Sequence, residues 1–429
     1  MAGHASPLAP AVPATARQGR ALGRALLLSL ANQGVASGGN FALNLYLARA
    51  MALEQFGLYG LCYGACMLYI GVGNAVLLTQ MTVAMPERAG AAQAAFAGRV
   101  LCGVLLMGAA LLALALAAAL ALAALRVPHW QLVPLSALAA AAMLGAEFFV
   151  SHAYLRRRER AALLVNCLTI ATLGAGIGAQ ALLGAAPGAG AALLWYALGA
   201  ALASAAAYAS HPLALRHARA ALRDEWLAAW RHGRWALGGV GVTWLQAQSA
   251  TYALALVLGP AGAGLANVGR LFISPFSFLL PAINKVALPR LAALRASAPR
   301  RMRQLAGRLT LALVLLALAY AALLLLSLDR LAPLVLGQRL PQLAPMVTLW
   351  CLVLVAQLAR SGGAQLMQMQ LRFRTLTLLN LPSAAVSIGA ALVLMHYFAH
   401  AGAVAGQLAG ELVFAILIWK EIRHAGHAA

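Results

Sequence analysis

Four ionisable residues stand inside long apolar runs of this sequence: Arg270, Arg360, Glu147 and Glu411. Placing a charge at the centre of a bilayer costs roughly 2.5–3.5 kcal/mol even on the lenient insertion scales, so each needs a partner or an aqueous surface. The two arginines could present guanidinium forks to the oxygens of a phosphate, a match that is bidentate and never lost to deprotonation. The two glutamates could carry a coupling proton. The same four could instead be interhelical pairs, Glu147 with Arg360 or Glu411 with Arg270, and Arg270 could snorkel outward. A second polar set is uncharged: Asn32, Gln33, Asn40 and Asn44 in the first apolar run, Gln246 and Gln248 in the seventh. Asn40 and Asn44 are four apart and share a helix face, with Arg49 about one turn further along. These side chains offer hydrogen bonds to sugar hydroxyls or, equally, to neighbouring helices at about 1 kcal/mol each. No HExxH, DxD, GxSxG or P-loop pattern occurs, and GAGIG at 174–178 lacks the strand and glycine spacing of a dinucleotide fingerprint. The five cysteines lie in apolar runs with no CxxC pair and read as packing residues. No catalytic residue, metal or cofactor is therefore expected, and any work is driven by an ion gradient, the membrane potential or substrate flux.

The elements that must position these residues are membrane helices. Of 429 residues 63% are hydrophobic and only 9% charged, and the mean hydropathy is +0.84. Soluble domains carry about 25% charged residues, so a soluble, disordered or coiled-coil chain is excluded. With about 20 apolar residues per crossing, twelve spans are predicted, at 22–48, 57–83, 99–125, 132–154, 161–183, 191–211, 235–258, 263–288, 307–328, 344–368, 376–398 and 401–422. Residues 100–125 show no alternation of polarity, which rules out barrel strands. Of the 31 basic residues, 25 fall in one set of alternating loops and four in the other. That bias puts both termini in the cytoplasm. It also accounts for the basic charge, 29 Arg and two Lys, without any nucleic acid. The first run is too long for a signal peptide and is expected to remain as an anchor. Loops on the outer side are short, about 329–343 being the longest, and offer no platform for a membrane enzyme.

Six spans, a linker and six spans organise the chain as a cytoplasmic tail (1–21), a first lobe (22–211), a linker (212–234), a second lobe (235–423) and a short tail (424–429). In the linker, Leu215, Leu222, Trp226, Ala229 and Trp230 take one side and Arg216, Arg219 and Arg223 the other, the pattern of an amphipathic helix on the inner leaflet. Residues 285–308 add seven positive charges without an acid, which serve topology or attract anionic headgroups. Pro275 and Pro281 are expected to kink the eighth span. The lobes are weak repeats. AMALEQFGLYG (50–60) lies over VLGPAGAGLAN (257–267) at an offset of 207, and RERAALLVN (158–166) over RFRTLTLLN (372–380) at 214. Parallel repeats of this kind enclose a central cavity between the halves.

The stretches NFALNLYLARAMALEQFGLYGLCYG (40–64) and NAVLLTQMTVAMPE (74–87) resemble the opening of polysaccharide-biosynthesis flippases. LGPAGAGLAN (258–267) and PFSFLLPAINKVALPRLAAL (275–294) are similar to the corresponding part of their second half. These are the O-antigen-type, lipid-linked oligosaccharide flippases of the multidrug/oligosaccharidyl-lipid/polysaccharide exporter superfamily. The resemblance implies two six-helix lobes in a V around a cavity. It implies movement of an undecaprenyl-pyrophosphate-linked oligosaccharide from the inner to the outer leaflet of a bacterial inner membrane, in company with polysaccharide polymerase and export machinery. In the cavity, Arg270 and Arg360 would meet the pyrophosphate, Arg49, Asn40, Asn44, Gln246 and Gln248 the rest of the substrate, and Glu147 or Glu411 a coupling ion. Two other readings stay open: a proton- or sodium-coupled small-molecule exporter of the same superfamily, and a membrane enzyme or scaffold of glycan assembly.

Overall fold

Long apolar runs with no polar alternation satisfy their backbone groups internally, and in a bilayer only the helix does this within one segment. The computed structural model describes residues 16–213, 218–277, 299–337, 340–370 and 372–427, and nearly all of them are helical. The helices are α1 (Ala16–Ala50), α2 (Leu53–Ala84), α3 (Gly90–Ala124), α4 (Leu132–Leu155), α5 (Glu159–Leu182), α6 (Ala189–Ser210), α7 (Ala218–Leu271), the single turn α8 (Ser274–Ser277), α9 (Pro299–Leu336), α10 (Leu343–Met369) and α11 (Phe373–His427).

Two of these are hairpins rather than rods. α7 breaks at Gly259, whose φ of 77° suits glycine, and Pro260 opens the second limb. α11 breaks at Ala399 (φ 45°, ψ −120°), and its limbs then run back along each other. A Cβ on Gly402, Gly406 or Gly410 would collide with Leu394, Ala391 or Ser387 of the first limb. Small residues permit this close backbone approach, which drives helix association where lipid is as apolar as leucine. Counting limbs, the described helices overlap the twelve expected spans, the eighth of which is described only as far as Ser277.

The loops sort to two ends. At one, the Arg156 guanidinium bonds the Gln93 amide oxygen and Arg372 pairs with Glu421. At the other, Glu54 faces His129 at 3.6 Å, Gln55 accepts the Ala189 N–H at 3.1 Å, and Arg49 donates to the Leu334 carbonyl at 3.3 Å. The first is the arginine-rich end that the loop bias assigns to the cytoplasm.

Several details depart from expectation. α9 continues to Leu336, where Gly337 (φ 71°) ends it, so the loop expected at 329–343 shrinks to six residues. The eighth pass breaks between Leu271 and Ser274, just before Pro275, and Tyr320 donates to the freed Phe272 carbonyl at 2.6 Å. α2 contains a π-helical turn at Asn74–Leu78, a segment with no proline or glycine of its own to announce it. The linker backbone is helical from Ala218 and continuous with the seventh pass. From residue 214 its side chains lie outside the described residues, as do Pro281 and residues 285–298.

The two halves meet through a reciprocal contact. A Cβ on Gly57 would lie 1.8 Å from the Pro260 carbonyl oxygen, and one on Gly264 would lie 2.1 Å from that of Leu53. Gly57 and Gly264, like Leu53 and Pro260, are 207 apart, the offset of the sequence repeat. Each half therefore offers the same glycine to the other's backbone, at the end opposite the arginines. Trp244 and Tyr252 of α7 extend this seam by donating to the Gly64 and Leu61 carbonyls of α2, both at 2.8 Å. The main buried core runs through both halves, while Met302, Leu366, Met367, Phe414 and Ile418 form a separate cluster at the arginine-rich end of the second.

Candidate functional site

Arg270 lies one turn below the seam on the second limb of α7. Its guanidinium donates to the Gln248 side-chain oxygen on the first limb at 3.4 Å and lies 5.7 Å from the ring of Trp350 on α10. Trp350 is fixed by its own indole N–H, which donates to the Ala266 carbonyl at 2.9 Å. Across the seam, Arg270 is within electrostatic reach of Tyr63 on α2. Arg270 is partly accessible and, among the described residues, has no carboxylate partner. One weak hydrogen bond leaves most of its five donors unused.

Opposite it stands a cluster of tyrosines. Tyr63 stacks on Tyr59 at 5.8 Å between ring centres and lies 6.0 Å from Tyr196 of α6. Asn40 donates to the Tyr63 hydroxyl at 3.0 Å. The Asn40 side-chain oxygen, the Tyr59 hydroxyl and the Asn267 side-chain nitrogen are buried without a protein partner. Buried polar atoms are nearly always satisfied, so unused donors and acceptors here mark a place equipped for water or a polar ligand. Tyr59 and Tyr63 are i,i+4 on an apolar span. Sequence reasoning passed over them because tyrosine in such a run also serves as packing.

The other expected residues go elsewhere. Arg360 on α10 pairs with Glu411 on the second limb of α11 at 2.5 Å. Glu411 also accepts from Gln357 at 3.0 Å, and the Arg360 guanidinium lies 5.0 Å from the Phe414 ring. This pair differs from both pairings considered from sequence, because the fold of α11 returns Glu411 to α10 within the same half. Gln246 points away from Gln248, into the second half, where it donates to Ser383 at 2.7 Å, and Ser383 in turn donates to the Gly410 carbonyl. Asn44 donates to the Asn40 backbone at 2.8 Å. Arg49 caps the last turn of α9 at the far end. Glu147 on α4 is partly enclosed and has no hydrogen bond or ion pair to a described residue. It lies two helical turns from Tyr154, which accepts from Asn32, itself bonded by Asn166, both at 2.8 Å. The structure thus brings Arg270 to Gln248, and Asn40 to Tyr63 and Asn44, and separates Arg360, Gln246 and Arg49 from them.

Neither a family model nor a curated protein matches the sequence. Solved structures do match the fold. An inward-facing multidrug-resistance MATE-family transporter of the MOP superfamily superposes with a TM-score of 0.68 at 16% identity, over 94% of this chain and 98% of that one. The lipid II flippase MurJ in an inward closed conformation gives 0.66 at 9% identity, over 93% and 87%. An outward-facing MATE-family transporter gives 0.58 at 14% identity, over 95% and 96%. A twelve-pass chain with a glycine seam at one end and Arg270 just below it has the fold of the MATE and other MOP-superfamily transporters.

Proposed function

We propose that this protein is an exporter of the MOP superfamily that flips an anionic polyprenyl-linked glycan from the inner to the outer leaflet, with no covalent chemistry of its own. The observation that carries this reading is the Arg270 guanidinium, held by Gln248 and Trp350, unpaired by any described carboxylate and within electrostatic reach of Tyr63, which the Asn40 amide and two further tyrosines surround. A phosphate would take the free donors, and aromatic faces with unused polar atoms suit the sugar that follows it. The Arg360–Glu411 pair is neutral as a unit, so it holds α10 to α11 rather than adding charge to the site. Closure by glycine contacts at the end away from the arginines, together with a better superposition on an inward-facing MATE-family transporter than on an outward-facing one, supports loading from the cytoplasmic side of a bacterial inner membrane. Rocking of the halves then exposes Arg270 outward while the lipid tail stays in the bilayer. The division into lobes at 22–211 and 235–423 belongs to this proposal, as does a polymerase or export partner that receives the product.

A second reading, a small-molecule exporter, is favoured by Glu147, an enclosed carboxyl without a described partner that is able to carry a coupling proton. One experiment separates the two. In vesicles containing the purified chain, the rate of flipping of a polyprenyl-pyrophosphate oligosaccharide is expected to fall about 10–100-fold for Arg270→Ala, the worth of one charge-assisted hydrogen bond. Arg270→Lys should recover only part of it, because an ammonium lacks the planar fork. An unchanged rate for Arg270→Ala overturns phosphate docking. Loss in Glu147→Gln of pH-gradient dependence alone would favour the exporter.

A further inference from the structure

The arginine-rich end of the first half contains a cavity of about 1250 Å³ that is separate from the Arg270 site. Its rim carries four cations from two elements, Arg24 on α1 and Arg157, Arg158 and Arg160 at the start of α5, against the single acid Glu159. Its inner wall is apolar: Leu164 and Leu168 of α5 are both exposed into open space, and alanines of α6 leave room opposite them. Topology alone explains arginines in this loop, but not a walled space leading from them into the lobe. Arg157 adopts a φ of 53°, the left-handed position that closes a helix end, and the Arg158 N–H bonds the Ala153 carbonyl at 2.8 Å. Glycine ordinarily fills that position, and an L side chain there costs roughly 1–2 kcal/mol.

We infer that this cavity binds the phosphate headgroup of an anionic phospholipid of the inner leaflet, with its first acyl carbons against Leu164 and Leu168. The volume exceeds what a free phosphate needs, and a soluble anion would leave the apolar wall uncovered. An amphiphile satisfies both, at the depth where a bilayer places its headgroups. The site is independent of substrate transport through Arg270.

Native mass spectrometry of the purified full chain tests this, with phosphatidylglycerol, phosphatidylcholine and soluble glycerol phosphate as probes. Wild type is expected to retain one phosphatidylglycerol in preference to phosphatidylcholine, and millimolar glycerol phosphate should not displace it. Arg157→Gly with Arg158→Ala should weaken retention roughly thirtyfold, while the lipid-free melting temperature holds or rises because the strained position is relieved. Leu164→Asn should weaken it without removing a charge, and Arg270→Ala should leave it unchanged. Equal retention of the two lipids, or variants that retain phosphatidylglycerol as wild type does, would overturn the inference. Ready displacement by glycerol phosphate would do so as well, because it would assign the site to a soluble anion.

Discussion

Arg270 and Arg360 are the same residue type in apolar spans of the same half, yet their surroundings give them opposite work. Arg360 sits 2.5 Å from a carboxylate that is 2% exposed, so the pair is a structural joint. Removing one partner of an enclosed pair strands the other charge, whereas removing both does not. Glu411→Gln is therefore expected to lower the melting temperature of the purified protein. Because Arg360 retains about a quarter of its exposure, the loss should stay below the roughly 3–5 kcal/mol of a fully enclosed pair. The double variant Arg360→Met, Glu411→Leu should recover most of it. A double variant as unstable as the single one would show that the pair contributes more than mutual compensation. The identity of these four intramembrane charges was legible from sequence because apolar runs make them conspicuous. Their pairing was not: two cations and two acids permit several matches, and the choice depends on the α11 hairpin, which brings Glu411 beside Arg360. Gln246 and Gln248 show the same limit. They are two apart, so a helix turns them to different sides, and only the packing decides which side is the site.

At the scale of elements, the twelve passes could be read directly, since length and apolarity fix them and the arginines mark alternate ends. Gly259-Pro260 was visible as a hairpin, as helix-stopping glycine followed by helix-starting proline. The hairpin at Ala399 was placed by its neighbours' lengths alone. The extension of α9 to Leu336 was hidden because Asp329, Arg330 and Pro333 look like a loop while the helix carries them past the apolar layer. The seam formed by Gly57 and Gly264 makes a prediction at this scale. A side chain on either glycine cannot coexist with the neighbouring carbonyl, so Gly264→Val should hold the far ends of α2 and α7 apart. In a background with its native cysteines replaced, Tyr59→Cys, buried at 1% exposure, should be inert to an impermeant thiol reagent and should become reactive when Gly264→Val is added. Continued inertness would mean that the halves remain closed by other contacts.

For the whole molecule, the loop arginines determine which face is which. Reporter fusions within 212–217 and at Leu340 are expected to report cytoplasm and exterior respectively, and the reverse pattern would invert the transport direction argued for Arg270. One buried core runs through both halves, and a separate small cluster lies at the arginine-rich end of the second. Within the first half, α2 is marked by its π turn. Its extra residue sets the helix below Asn74 out of phase with the helix above by about 100°, one residue's rotation in an α-helix. Above the turn Gly57 and Gly64 press on α7, and below it Met81 and Met85 are buried. One surplus residue therefore lets a single helix turn one face inward along its upper part and a different face along its lower part.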